Sequence, residues 1–166
     1  MYVHIFVASF GNSTPPLMKI EDEIKQPTFK DDYQKAHINL IYTTGWLQLR
    51  QAAAFREFDV TLPQYNILRI LRGQHPKPAT VNLLIERMLD KTSNASRIVD
   101  KLVAKTYATR TVCPSNRRAV DIHITEAGLE LLRSMEGTVT HHNSGLHNLT
   151  PTEAAQLSDL LDKIRD

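Results

Sequence analysis

Apolar positions recur at intervals of three and four through most of the chain, and only one stretch alternates. From Asp31 to Phe58 there is no proline and a single glycine, Gly45, while Tyr33, His37, Leu40, Ile41, Leu47 and Phe55 keep helical spacing. This predicts one long helix. "DVTLPQYNILRILRG" predicts a second, with Thr61 as its cap, Pro63 in the first turn, Gly73 after its last residues, and a stripe of Tyr65, Leu68, Ile70 and Leu71. "QHPKP" breaks the chain, and "ATVNLLIERML" forms a short third helix with Val81, Leu84, Ile85 and Met88 inward. "DKTS" makes a polar corner, with Asp90 or Thr92 as the cap of a fourth helix. Val120, Ile122 and Ile124 then alternate with Asp121 and His123, which is strand periodicity with one buried face, and "CPSNRR" reads as the tip of a hairpin. Thr125 caps a fifth helix through "EAGLELLRSMEGTVTHHN", weakened late by Gly137 and Gly145. "LTPTEAAQLSDLLDKIRD" closes as a capped helix, with Thr150 before Pro151 at its first position and Leu157, Leu160, Leu161 and Ile164 on its apolar stripe. The pattern predicts a mainly α fold with a small β-hairpin.

The start of the fourth helix, "TSNASRIVDKL", is unusual. Capping uses one short polar side chain, yet Thr92, Ser93, Asn94 and Ser96 crowd the first turn. At 100° per residue, Ala95, Ile98, Val99, Leu102 and Val103 share the core face. Ser93, Arg97, Asp100 and Ala104 fall opposite, flanked by Asn94 and Lys101. The outward face therefore offers slim hydrogen-bonding groups first and cations behind them. A helix that enters the major groove needs that surface, with Thr92, Ser93, Asn94, Ser96 and Arg97 near bases and phosphates and Lys101 on phosphate. A short helix, a tight turn and a polar-fronted helix make a helix-turn-helix. The hairpin behind it, carrying Arg117 and Arg118, completes a winged helix.

Charge distribution sharpens this picture. The chain's net charge is only +2, but Lys91 to Arg118 holds seven basic residues against one acidic, Asp100, so that segment carries +6 and the remainder −4. A basic island on a mildly acidic chain marks a local polyanion contact. At 166 residues with 42% apolar and 23% charged positions, the chain fits one domain or a domain with extensions. Cys113 is its single cysteine, so no intramolecular disulfide forms and a reducing cytoplasm is expected. No run reaches the roughly 18 apolar residues of a membrane span. The first residues, "MYVHIFVASF", lack the basic start and cleavage site of an export signal. Residues 1–17, up to the break at "GNSTPP" and the second methionine, Met18, are expected to be dispensable for folding and DNA binding.

From "LPQYNILRIL" through "LLIERMLDKTSNASRIVDKLVAK" to "RTVCPSNRRAVDIHITEAGLELL", roughly Leu62 to Leu132, the chain resembles the MarR family of bacterial transcriptional regulators. The wing phrase "NRRAVDIHIT" is the most specific piece. The resemblance implies a tail over residues 1–27 and a MarR-like domain over 28–166. That domain would comprise a winged-helix DNA-binding lobe at 60–125 and dimerisation helices at 30–58 and 126–166. It implies a homodimer on a near-palindromic operator of double-stranded DNA, with contacts centred on the first helix and on Leu157, Leu160, Leu161 and Ile164. Arg118 matches an arginine that enters the minor groove. A small, often aromatic, effector between lobe and dimer helices releases DNA in many members, and Trp46 and Tyr65 are candidate liners here. Two positions depart from the pattern. Asn116 stands where the family usually has an Asp bracing the wing arginine, and Thr106 where a glycine commonly follows the recognition helix. A β-branched residue tolerates a left-handed helix end poorly, which predicts an altered end or strain there.

Other chemistries lack support. There is no Gly-rich phosphate loop, no G-x-S-x-G and no carboxylate pair in a recognisable setting, so an enzyme is not expected, nor a cofactor. Adjacent His141 and His142 point apart on a helix, and nothing is spaced with His147 to complete a metal site. Cys113, without a second cysteine, reads as a small hairpin residue. The competing function is a winged helix that binds protein rather than DNA. Such a module would not need Arg97, Lys101 and Arg118 all outward.

Overall fold

A computed structural model describes residues 18–113 and 116–166, the side chains of 113, 116–119 and 139–144 excepted. The chain runs α1 (Ile20–Glu23), α2 (Asp32–Arg56), α3 (Leu62–Gln74), α4 (Val81–Arg87), α5 (Ala95–Ala104), β1 (Ala108–Cys113), β2 (Asn116–Ile124), α6 (Glu126–His142), a 3₁₀ turn (Asn143–Asn148) and α7 (Pro151–Ile164). It is a mainly helical winged helix with one antiparallel hairpin, as the pattern predicts. Residues 1–17 lie outside the described residues. Among the described residues, no helix is long and apolar enough to cross a membrane.

Two compact units divide the chain between Thr44 and Gly45, inside α2. In the first, α1 is a four-residue helix within a segment that the sequence reads as tail. Its carboxylates favour the positive end of a short helix. Glu21 pairs with Lys35 at 2.5 Å, and the Tyr42 hydroxyl donates to Glu23.

The second unit holds the core. Thr61 caps α3 reciprocally with Gln64, each side chain bonding the other's backbone N–H. Gly73 does not stop this helix but lies inside it, and the helix continues to Gln74. From α3, Ile67, Leu68 and Leu71 meet Leu84 and Met88 of the α4 region, Val99 and Leu102 of α5, Ile122 of β2 and Leu132 of α6. Burying each such side chain contributes roughly 1.5–3 kcal/mol. Ile85, predicted inward, is exposed, and Leu83 takes up core contact instead. The reason is brevity: seven helical residues present only a narrow inward arc, which Leu84 and Met88 occupy. A smaller cluster of Phe55, Val60 and Met135 shares Tyr65, Tyr107 and Leu131 with the main core.

The hairpin is paired Ala108 to Ile124, Arg110 to Ile122 and Val112 to Val120, with an irregularity between Val112 and Cys113. Ile122 and Ile124 point into the core, as alternation requires. Ala79, just before α4, exchanges both backbone hydrogen bonds with Ile122 at 2.9 Å. This bridge fastens the wing to the helix-turn-helix.

The end of α5 is built for glycine but carries Thr106. The Tyr107 N–H reaches the Leu102 carbonyl and the Thr106 N–H the Val103 carbonyl, the paired bonds of a Schellman end. Thr106 accordingly has φ 62°. A left-handed backbone costs an L-residue about 1–2 kcal/mol. Thr106→Gly is therefore expected to stabilise the protein by about 1 kcal/mol, less the entropy glycine restores to the unfolded chain. Thermal unfolding checks this, and an unchanged or lower Tm would show that the position carries no strain.

Candidate nucleic-acid interface

The helix-turn-helix corner is tied down from three directions. The Leu89 N–H donates to Asn66 Oδ1 of α3 at 3.0 Å. Lys91 Nζ donates to the carbonyls of Ile85, at 3.1 Å, and Glu86, satisfying groups that a helix end leaves open. Asp90 Oδ1 accepts from the Thr92 N–H at 2.9 Å and the Thr92 hydroxyl at 2.6 Å, while Oδ2 accepts from the Ser93 hydroxyl at 2.5 Å. The Ser93 hydroxyl first, then that of Thr92, holds the Asp90 carboxyl down at about 2.

Asp90 and Thr92 are thus engaged with each other, and neither caps the next helix. The N-cap of α5 is Asn94, whose Oδ1 accepts the Arg97 N–H at 3.0 Å. Downstream, Ala95, Val99 and Leu102 are buried, and Arg97, Asp100, Lys101 and Ala104 face outward. The helical wheel predicts that division. Ser93 and Ser96 are half-buried, and Thr92 and Asn94 are exposed.

The basic residues divide in a way that charge counting cannot show. Lys91 is spent on α4 carbonyls. Lys105 pairs with Asp59 at 2.7 Å, and Arg110 of β1 pairs with Asp100 at 2.8 Å. Among the described residues, the side chains of Arg97 and Lys101 have no hydrogen-bond or ion-pair partner. The Arg110 pair also neutralises the single carboxylate on the outward face of α5. Ser93, Asn94, Arg97 and Lys101 together wall a shallow cleft of about 270 Å³, completed by Thr61, Pro63 and Gln64 at the start of α3. The corner and the helix front form one continuous polar surface with two free cations.

The backbone places Asn116, Arg117 and Arg118 in the first residues of β2 rather than at the tip. Their side chains, and those of Cys113, His141 and His142, lie outside the described residues. Among the described residues no cluster of His, Cys, Asp and Glu could hold a metal.

A second, larger cleft of about 920 Å³ runs between Gln48–Arg56 of α2, the turn Asp59–Gln64, the corner Met88–Asp90 and the C-terminal end of α5 at Lys101, Ala104 and Lys105, so that Lys101 borders both clefts. Neither Trp46 nor Tyr65 lines it. The Arg50 guanidinium stacks over Trp46 at 4.7 Å, and Tyr65 stacks on Phe55 with ring centroids 4.9 Å apart. On α7, Leu157, Leu160 and Ile164 are exposed, Leu157 the least of the three, and Leu161 is half-buried. The other described residues leave this apolar stripe largely uncovered.

Sequence reasoning gave Asp90 only as a cap and missed its bonds to Thr92 and Ser93, along with Asn66 and the pairings of Lys105 and Arg110. An Asp two residues before Thr and three before Ser is a readable turn signal. The two ion pairs join residues far apart in the chain and leave no local trace.

A sequence profile described as MarR family matches residues 58–119. An HTH-type transcriptional regulator of Bacillus subtilis (strain 168), YpoP, is 33% identical over 107 residues, covering 64% of this chain and 74% of the relative. A solved MarR transcription factor from Planctomyces limnophilus is 29% identical with a TM-score of 0.65, over 81% of this chain and 98% of the other. BpsR of Bordetella bronchiseptica, a protein whose DNA binding is regulated by 6-hydroxynicotinic acid, has a TM-score of 0.71 at 19% identity, over 84% of this chain and 98% of its own. The fold of the helix-turn-helix and wing agrees with all of these, and the chain belongs to the MarR family of transcription regulators, which are not enzymes.

Proposed function

We propose that the protein is a cytoplasmic homodimer that binds a near-palindromic operator and represses from it, releasing DNA when a small aromatic effector binds. The observation that carries this reading is the pair of unpartnered cations, Arg97 and Lys101, set one helical turn apart on the outward face of a capped α5 whose own carboxylate is masked by Arg110. That arrangement suits a helix seated in the major groove, with the polar front at base edges and Lys101 on phosphate. Arg117 and Arg118, on the wing strand, would follow the adjacent backbone and minor groove.

In this reading the lobe spans 60–125, and residues 30–58 and 126–166 supply the dimer helices. The uncovered stripe of Leu157, Leu160, Leu161 and Ile164, with Leu40 and Ile41 of α2 also exposed, supports a second copy as the partner. An effector is supported by the larger cleft rather than by the surroundings of Trp46 and Tyr65. Phe55, Leu62 and Met88 give that cleft apolar wall, and Arg56, Lys101 and Lys105 give it cations. An occupant there would touch the C-terminal end of the recognition helix, including Lys101 itself.

Selection of bound duplexes from a randomised pool, with sedimentation of the recovered complex, tests the proposal. The expected result is an enriched inverted repeat carrying two chains. No enriched sequence together with a monomer at micromolar concentration would overturn it.

A further inference from the structure

The Asp90 carboxylate accepts from both hydroxyls at the corner, Thr92 at 2.6 Å and Ser93 at 2.5 Å. An ionised carboxylate has no proton to give, so in both bonds the hydrogen belongs to the hydroxyl. Each hydroxyl owns one proton and spends it inward. What Thr92 and Ser93 show outward is therefore lone pairs alone. The same hydrogen bonds keep the acid ionised, at about 2, so this polarity persists at neutral pH. The corner is also held by Asn66 and Lys91, which limits any reorientation of the two side chains.

Building on the DNA-binding reading above, we propose that Asp90 is a positioning residue that fixes the hydrogen-bond polarity of the recognition surface. Thr92 and Ser93 act only as acceptors, and they select base edges that carry an exocyclic amino group. In the major groove those donors are N4 of cytosine and N6 of adenine. Guanine N7 and O6, thymine O4 and every phosphate oxygen are acceptors, and against them the corner sets lone pair against lone pair. A free Ser or Thr hydroxyl turns to suit either partner. Asp90 removes that freedom. The donors of the surface lie further along: Arg97, Lys101, and the Asn94 amide nitrogen, whose companion Oδ1 already accepts the Arg97 N–H.

The test uses the full chain and a randomised duplex pool, comparing the base preferences of the parent with those of Thr92→Ala, Ser93→Ala, Asp90→Ala and Asp90→Asn. The two hydroxyl deletions identify the positions each side chain reads. At those positions the parent is expected to favour A or C over G or T by about five- to tenfold. Asp90→Ala should lose that preference at both positions while the bases read by Arg97 keep theirs. Asp90→Asn is the more exact variant. Its oxygen still serves Thr92, but its amide nitrogen donates to Ser93 and turns the serine proton outward, so only the Ser93 position should relax.

A parent preference for G or T at those positions, or unchanged preferences in both Asp90 variants, would overturn the inference. So would an equal loss of affinity on all sequences, which is what a purely structural role predicts. A parent that enriches no sequence at all removes the DNA-binding reading itself, and the inference with it. That result is visible before any variant is compared.

Discussion

Arg97→Ala is expected to weaken binding to the selected duplex by about 1–3 kcal/mol, and to weaken binding to unrelated DNA much less. Arg97 lies on the outward face of α5, behind Ser93 and Asn94 in the same shallow cleft, and makes no internal pair among the described residues. Its removal costs the folded protein no ion pair, so a loss of affinity reports on DNA. Lys101, one turn further on, should behave differently. A lysine on phosphate contributes alike to all sequences, so Lys101→Ala should weaken both kinds of duplex and flatten the slope of log affinity against log salt by roughly 0.9. Lys105 supplies the control. It is bonded to Asp59, and its replacement should disturb that pair more than the salt slope. Affinity and slope unchanged in both Arg97→Ala and Lys101→Ala would reduce the outward face of α5 to a solvated surface.

These expectations could not all have been drawn from sequence. The core face of α5 was legible because five apolar residues at helical spacing leave no other arc for burial. The caps at Thr61 and Thr150 were legible because each precedes a proline in the first turn and a Gln or Glu three residues on, and both boxes form. The family was legible in the wing phrase. What stayed hidden was the choice among competing local partners. Asp90, Thr92 and Asn94 are all good capping residues, and only the fold shows that the first two engage each other and leave the cap to Asn94. The island of positive charge was readable as a sum. Which of its members remain available depends on Asp59 and Asp100 being brought to Lys105 and Arg110. Gly73 was misread as a stop because glycine usually follows a helix, yet nothing lies near its α-carbon and the helix passes through it.

The same replacement at two helical glycines is expected to give opposite signs, and the larger effect falls at Gly128. This residue sits in the first turn of α6, where the helix start meets the end of α5. Its N–H donates to the Thr125 hydroxyl at 3.1 Å, and that hydroxyl donates to the Thr106 carbonyl at 2.7 Å. The Thr125 N–H bonds the Tyr107 carbonyl at 3.1 Å. A Cβ on Gly128 would overlap that same Tyr107 oxygen and would lie 2.8 Å from Cγ1 of Ile124. The oxygen belongs to backbone, so it cannot rotate away as a side chain could. Relief requires α6 to back off from the end of α5, breaking the bonds that join α5 to the helix behind the wing. Gly128→Ala is therefore expected to destabilise by about 1–3 kcal/mol or more, at roughly 2–4 °C of Tm per kcal/mol for a chain of this size. Gly73, by contrast, is exposed with nothing within 4 Å of a built Cβ. Gly73→Ala removes only glycine's excess freedom in the unfolded chain and should stabilise by up to about 0.5–1 kcal/mol, toward the lower figure so near the helix end. Denaturant melts of the two variants decide the matter. If Gly128→Ala were as stable as the parent, the packing of α6 against the end of α5 would be looser than the geometry requires, and the bonded junction between the two helices would not hold them as described.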